Sequence, residues 1–147
     1  MFIMPRNGKI VIVSIVALII LIATILSFRE KPLYSYSTVV FKKTADIVQV
    51  YIPENSAANY LGLGKRLVLP EDYGMLWRYR EPTVPSFIMR GMKIPLDFVW
   101  IRDGKVIEIT QEEPAKSKAV LRPLSAVTEV LEVNAGYARR HQVQVGD

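Results

Sequence analysis

The chain has 147 residues, a formal net charge of +5 and a hydrophobic content of 50%. This length suits one ordinary domain and excludes two. The chain has no cysteine, which excludes disulfides, thiol catalysis and cysteine-based metal sites. Its basic and acidic residues are interspersed beyond position 31, whereas nucleic-acid binding requires a concentrated basic surface. We therefore predict no nucleic-acid partner.

The first predicted element is a transmembrane helix at residues 10–28, "IVIVSIVALIILIATILSF", which carry no charge. As a helix this segment spans about 28 Å, close to the hydrocarbon thickness of a bilayer. A cleaved signal peptide is the alternative, but its apolar core is shorter and an Ala-x-Ala pattern normally follows. We therefore predict a basic tail at 1–9, a signal anchor at 10–28 and a spacer at 29–45.

The orientation of this anchor does not follow from charge. Basic residues precede the apolar segment at Arg6 and Lys9, and more of them follow it, beginning with Arg29 and Lys31. The positive-inside rule counts such residues near both ends of a span and here slightly favours a cytoplasmic C-terminal domain.

Beyond the spacer, the sequence predicts short strands and few helices. A strand is expected at residues 38–42 and another at Ile47–Ile52, a β-branched run that ends at Pro53. "SAANYLGL" predicts a short helix with Ser56 as its N-cap. Asp103 and Gly104 separate two apolar runs, and an Asp-Gly pair suits the positive φ values of a type I′ hairpin turn.

The last predicted elements are a strand at Val127–Asn134 and a short helix capped by Asn134. In this strand Val127, Leu131 and Val133 are expected to share one face. Together the elements predict residues 46–147 to be one mainly-β (α+β) domain, a compact sandwich or partly open barrel with one or two short helices.

Two carboxylates interrupt apolar strands. Asp97 lies in "IPLDFVWI" and Glu132 in "VLEVNAG", and an unpaired carboxylate among apolar neighbours is costly. Each is either a structural tie, for example between Asp97 and Arg90, or an acid in a pocket. If the two approached each other, one carboxyl group would hold its proton and serve as an acid or base. We favour the structural tie for Asp97 and keep paired-carboxylate hydrolysis as an alternative.

Methionines offer a third kind of site. Thioethers bind Cu(I), and "MRGM" separates Met89 from Met92 by three positions, with Met75 upstream. Methionine more often fills gaps in a core, so a core or pocket position is the favoured interpretation. His141 is the only histidine and is expected to be a solvated residue at a helix end. We predict no metal site and no cofactor.

The soluble part resembles a known family. "GMLWRY", "SFIMRGMKIPLDFVWIRDGKVIEI" and "VLEVNAGYARRHQVQVGD" are similar, over about residues 47–147, to the family of the domain of unknown function numbered 192. Its pattern contains Trp-Met-Lys-Asn where this chain has Ile88-Met89-Arg90-Gly91, and "GLGKR" lacks the family's upstream methionine. The resemblance implies a compact, mainly-β domain that lies outside the cytoplasm, with no established activity.

The predicted function is therefore that of an extracytoplasmic binding or accessory module behind a single-pass anchor, for an unidentified small ligand or an envelope protein. Whether it is also an enzyme stays open, with the hydrolase and Cu(I) alternatives retained. The predicted pocket residues are Met75, Met89, Arg90, Asp97, Glu132 and Asn134. Structural duties are predicted for Gly74, Pro95, Asp103, Gly104 and Gly136.

Overall fold

The computed structural model describes residues 15–22 and 32–147. Residues 15–22 are helical and belong to a unit, Met1–Lys31, that is separate from the compact unit Pro32–Asp147. Among the described residues, no helix is both long enough and apolar enough to cross a membrane. Most of the predicted anchor at 10–28 lies outside the described residues, so this anchor stays a prediction.

Residues 32–147 form an open, six-stranded sheet with the strand order β1-β2-β3-β8-β5-β6. All neighbouring strands are antiparallel except β2 and β3, which are parallel. A second sheet consists of the two short strands β4 and β7. The bounds are β1 Tyr34–Phe41, β2 Asp46–Pro53, β3 Tyr73–Thr83, β4 Phe87–Ile88, β5 Leu96–Arg102, β6 Lys105–Glu113, β7 Val120–Leu121 and β8 Val127–Asn134.

The mainly-β class predicted from the sequence is confirmed, although the main sheet is open and not a closed barrel, because β1 and β6 are its edges. The hairpin between β5 and β6 turns at Asp103 and Gly104, whose φ values are 51° and 74°. Both values are positive, as a type I′ turn requires. This turn was predicted from the Asp-Gly pair alone and is confirmed.

Two predicted helix caps are wrong. The first helix, α1, spans Ser56–Leu61, and its N-cap is Asn55, whose side chain accepts a hydrogen bond from the Ala58 amide. The second helix, α2, spans Tyr137–Arg140 and starts after Gly136, which adopts the left-handed conformation and offers no side-chain cap. The Asn134 amide instead donates to the carbonyl oxygens of Leu69 and Pro70.

The sheet has a hydrophobic cluster on each face. One, which we call the helix-side core, contains Val99, Leu131 and Val133 of the sheet with Tyr137 and Ala138 of α2. The other, the cleft-side core, contains Met75, Met89, Phe98, Trp100, Val127 and Val130. Val127 therefore does not share a face with Leu131 and Val133, contrary to the prediction, and the pairing of β3 with β8 shifts register between Arg78 and Thr83.

Candidate functional site

The register of β5 against β8 separates the two interior carboxylates. Asp97 pairs with Val133, whereas Glu132 pairs with Phe98. Directly paired residues share one face of an antiparallel sheet, and successive residues alternate between faces. Asp97 therefore belongs to the helix-side core and Glu132 to the cleft-side core. The two groups do not form the paired-carboxylate arrangement that a hydrolase of this kind would need.

Asp97 is a structural tie to the backbone. Its side chain is fully buried, and one oxygen, Oδ1, accepts hydrogen bonds from the amides of Glu112 at 2.7 Å and Gly136 at 2.9 Å. The second oxygen, Oδ2, accepts from the amide of Ala138 at 2.9 Å. These three donors satisfy the buried group, and Asp97, by accepting from Gly136 and Ala138, supplies the cap that Gly136 cannot give α2. Its partners are backbone amides and not Arg90.

Within residues 15–22 and 32–147, Glu132 has no such set of donors. Its side chain is only 5% exposed, and its cross-strand neighbours are Met75 on β3 and Phe98 on β5. Burial raises the pKa of Glu132 to about 8, and the Trp77 indole partly opposes that rise. The carboxyl group is therefore largely protonated near pH 7, and a protonated carboxyl group can both donate and accept a hydrogen bond.

Glu132 lines an open cleft of about 490 Å³, within the usual size range of small-ligand sites. We call this the Glu132 cleft. Trp77, Tyr79 and Phe87 give it aromatic walls. Its other lining residues come mainly from the end of α1, the glycine-containing segment after it, and the loop after β4: Asn59, Tyr60, Leu61, Gly62, Leu63, Gly64, Lys65, Ser86, Ile88, Arg90, Gly91 and Met92.

The aromatic walls carry polar groups. Burial, followed by the charge on Glu132, raises the pKa of Tyr79 to about 12, so its phenol keeps its proton. Trp77 Nε1 is buried and has no hydrogen bond of good geometry to a described residue. The indole also lowers the pKa of Glu132, as an N–H donor beside a carboxyl group does. The cleft thus offers an incompletely satisfied donor beside a protonated acid.

The predicted pocket residues are only partly brought together. Of the six, Arg90 and Glu132 line the Glu132 cleft. Met75 and Met89 are buried in the cleft-side core, which makes them packing residues. Asp97 lies on the other face, and Asn134 braces the loop at Leu69 and Pro70.

The sequence reasoning missed the aromatic walls of the cleft. A usable signal was present, because alternation along a strand places Trp77 and Tyr79 on the same face as Met75. Phe87 gave no comparable local signal. It belongs to the short second sheet and reaches the site by packing edge-on against Trp77, with ring centroids 5.4 Å apart.

His141 is not the solvated helix-end residue that the sequence predicted. Its Nδ1 lies 2.9 Å from Asp46 Oδ1, and its ring stacks on Tyr137 with centroids 4.0 Å apart. It connects the end of α2 to the start of β2. Within the described residues, no group of three or more His, Asp or Glu side chains is arranged to hold a metal ion.

Two predicted structural residues have clear contacts in the sheet. A Cβ on Gly74 would lie 2.6 Å from the carbonyl oxygen of Glu132, so β3 and β8 approach too closely there for any side chain. The carbonyl oxygen of Pro95 accepts a hydrogen bond from the Ala135 amide at 3.2 Å. This bond joins the start of β5 to the end of β8, next to the amides that bind Asp97.

Comparison with solved structures gives two close matches to this fold. A proposed transcription regulator from Sinorhizobium meliloti 1021 is 25% identical, with a TM-score of 0.71 over 80% of this chain and 95% of that protein. A protein of unknown function from Novosphingobium aromaticivorans DSM 12444 is 27% identical, with a TM-score of 0.69 over 78% of this chain and 82% of that protein.

No curated protein sequence matches the chain. The model of the DUF192 family, described as an uncharacterised ACR, matches residues 38–147. This range contains the three sequence blocks that carried the resemblance, together with the whole sheet except the start of β1. The chain belongs to the DUF192 family.

Proposed function

We propose that residues 32–147 are a binding module whose Glu132 cleft takes a small, uncharged ring molecule with hydroxyl or amide groups, such as a neutral sugar. The observation that carries this proposal is Glu132 itself, a buried carboxyl group with a pKa of about 8 at the surface of a cleft. Asp97 shows that a buried strand carboxylate can serve the structure when backbone amides hold it. Glu132 lacks such donors among the described residues, and a buried carboxyl group with a raised pKa beside a cleft is typical of a functional site.

An uncharged ligand suits Glu132 and the aromatic walls of the cleft. Protonated Glu132 offers one O–H donor and a carbonyl acceptor, and Tyr79 offers a phenol. The faces and edges of Trp77 and Phe87 suit the flat apolar side of a ring. A neutral ligand with hydroxyl groups can use all of these without forcing Glu132 to ionise inside an apolar environment.

The register of the sheet argues against the hydrolase alternative. It required Asp97 beside Glu132, but the strand register puts these residues on opposite faces, and Asp97 already accepts three backbone hydrogen bonds. The Cu(I) alternative is likewise weakened, because Met75 and Met89 are enclosed in the cleft-side core. A binding role requires only Glu132 and the aromatic side chains in the positions described above.

We further propose that the module is held outside the cytoplasm by the apolar segment at 10–28. The support is the length of this uncharged segment and the tendency that the family resemblance implies. Protease added to intact cells should digest the C-terminal domain of the full chain. Digestion only after the cells are permeabilised would contradict this placement.

The ligand proposal is tested with the full chain in a neutral detergent. Ligand-detected NMR should show binding of at least one member of a neutral panel of glucose, N-acetylglucosamine and uridine. Glucosamine, a size-matched ring with a positive charge, should bind more weakly because Lys65 and Arg90 also line the cleft. Ser86→Trp, which fills the cleft from an exposed position, should abolish binding.

A matched control variant shows whether binding depends on the cleft or on any aromatic residue. Tyr36 is an exposed aromatic residue on β1, outside the lining of the cleft, so Tyr36→Ala should leave binding unchanged while Trp77→Ala removes it. Absence of binding by every neutral ring would contradict the proposal. Equal binding by the Ser86→Trp variant would contradict it too, because the ligand would then bind elsewhere.

A further inference from the structure

A second cleft, of about 540 Å³, lies beside the loop that follows β4. Its lining consists of two chain segments, residues 88–93 and residues 115–118. The first segment also contributes Ile88, Arg90, Gly91 and Met92 to the Glu132 cleft. Lys93 and the whole of the second segment line only this second cleft, which we call the basic cleft.

The charge of the basic cleft is of one sign. Its lining contains four cations and no carboxylate: Arg90, Lys93, Lys116 and Lys118. None of the four forms an ion pair within residues 15–22 and 32–147. Other cations of the domain do, since Arg78 pairs with Glu129 and Arg139 with Glu112. Like charges that converge on a concave surface without counter-charges create a strong positive potential there.

Two tight turns order the backbone that carries these exposed cations. In the first, the Met92 amide donates to the Met89 carbonyl at 3.1 Å, and Met89 is buried in the cleft-side core. In the second, the Ser117 amide donates to the Pro114 carbonyl at 3.0 Å, and the Ser117 hydroxyl accepts from the Ala119 amide at 3.1 Å. The cations therefore project from backbone that is fixed by local hydrogen bonds, on two segments distant in the sequence.

We propose that the basic cleft binds a phosphate group. Guanidinium and ammonium groups form short, charge-assisted hydrogen bonds to phosphate oxygens, and arginine can do so with two parallel bonds. A multiply charged anion would relieve the mutual repulsion of the four cations. The phosphate comes either from a small soluble compound or from a lipid headgroup, which present the same chemistry. The proposal does not depend on the ligand proposed for the Glu132 cleft.

The test uses the full chain in a neutral detergent and isothermal titration calorimetry at low salt. One arm titrates inorganic pyrophosphate, and the other titrates glycerophosphoglycerol, the soluble headgroup of phosphatidylglycerol. Saturable binding is expected in at least one arm. Lys116→Gln combined with Lys118→Gln should weaken it by about tenfold or more, because two charge-assisted hydrogen bonds are lost.

The control variant combines Lys42→Gln with Lys105→Gln, which removes the same charge at exposed positions outside the cleft. It should retain the affinity of the unmodified chain. Binding of pyrophosphate alone assigns the site to soluble phosphates, and binding of glycerophosphoglycerol assigns it to the headgroup. The proposal is overturned if neither compound binds, or if both double variants lose affinity equally, since the effect is then one of general charge.

Discussion

Asp97 and Glu132 lie on neighbouring strands, one register position apart, and their side chains occupy opposite faces of the sheet. On one face the carboxyl group is held by three backbone amides. On the other face, the Glu132 carboxyl group lines an aromatic cleft and keeps its proton near pH 7. Carboxylates on neighbouring strands thus have a structural role in one case and a candidate binding role in the other, and the two roles predict different responses to mutation.

Replacement of Asp97 should destabilise the domain. Asn at this position keeps one acceptor oxygen but turns an NH₂ group toward backbone donors, so at least one buried amide loses its partner. We expect Asp97→Asn to lower the free energy of unfolding by about 3 kcal/mol, measured by thermal unfolding with near-UV circular dichroism. Asp103→Asn is the matched control, because Asp103 is exposed in the hairpin turn and Asn tolerates its positive φ. Equal losses in both variants would contradict the assigned role.

Glu132 should make stability depend on pH. Its pKa in the folded state is about 8, above the ordinary value of 4.5, so the folded state binds the proton more tightly. The contribution of Glu132 to the free energy of unfolding is therefore fully present below pH 4.5 and is lost as the pH rises toward 8. Over this range the free energy of unfolding should fall by about 1.4 kcal/mol per pH unit. Glu132→Gln stays uncharged and should lack this slope. The stability difference between the two proteins, measured across that range, isolates the effect.

A difference that stays constant with pH would show that Glu132 titrates normally in the folded protein. That result would also remove the main support for a protonated acid in the cleft. The unmodified chain and Glu132→Gln differ only in one side chain of nearly the same shape. The effects of other titrating residues on stability therefore cancel when the two are compared.

Gly74 should not accept a side chain. A Cβ at this position would meet the carbonyl oxygen of Glu132 at 2.6 Å, and this oxygen belongs to the backbone of a central strand. Gly74→Ala is therefore expected to cost about 1–3 kcal/mol through forced separation of β3 and β8. Gly104→Asn serves as the control in the same unfolding assay, since a Cβ there meets nothing within 4 Å. A stable Gly74→Ala protein would mean that the two strands separate easily.

The cap of α1 distinguishes two neighbouring residues. Asn55 accepts the hydrogen bond from the Ala58 amide at 2.9 Å, so Asn55→Ala should cost about 1 kcal/mol. Ser56 is exposed and stands inside the helix, and Ser56→Ala should be neutral or slightly stabilising because alanine has the higher helix propensity. The reverse order of effects in thermal unfolding would restore Ser56 as the cap.

Local features of the fold could be predicted from the sequence, because their causes are local. β8 has the predicted bounds, and β2 exceeds its prediction by one residue at each end. The Asp103–Gly104 turn follows from the conformations that these two residues tolerate. Alternation correctly separates the residues of β5 into two sets, whereas in β8 it places Leu131 and Val133 correctly and Val127 wrongly.

The pairing between strands could not be predicted in this way. Nothing within "IPLDFVWI" or "VLEVNAG" specifies that Phe98, and not Asp97, stands opposite Glu132. That choice arises from packing of the whole sheet and decides whether the two acids meet. The cap of α2 was missed for the same reason, since it comes from Asp97, about forty residues upstream.

The Asp97 contacts also have a consequence for the order of folding. Its carboxyl group joins residues 15, 39 and 41 positions away, so its three bonds can form only after β6 and the turn after β8 have reached the sheet. Contacts that close long loops form late, and a contact made after the transition state slows unfolding without accelerating folding. We therefore expect the loss of Asp97 to appear as a faster unfolding rate with an unchanged folding rate, measured by stopped-flow unfolding and refolding.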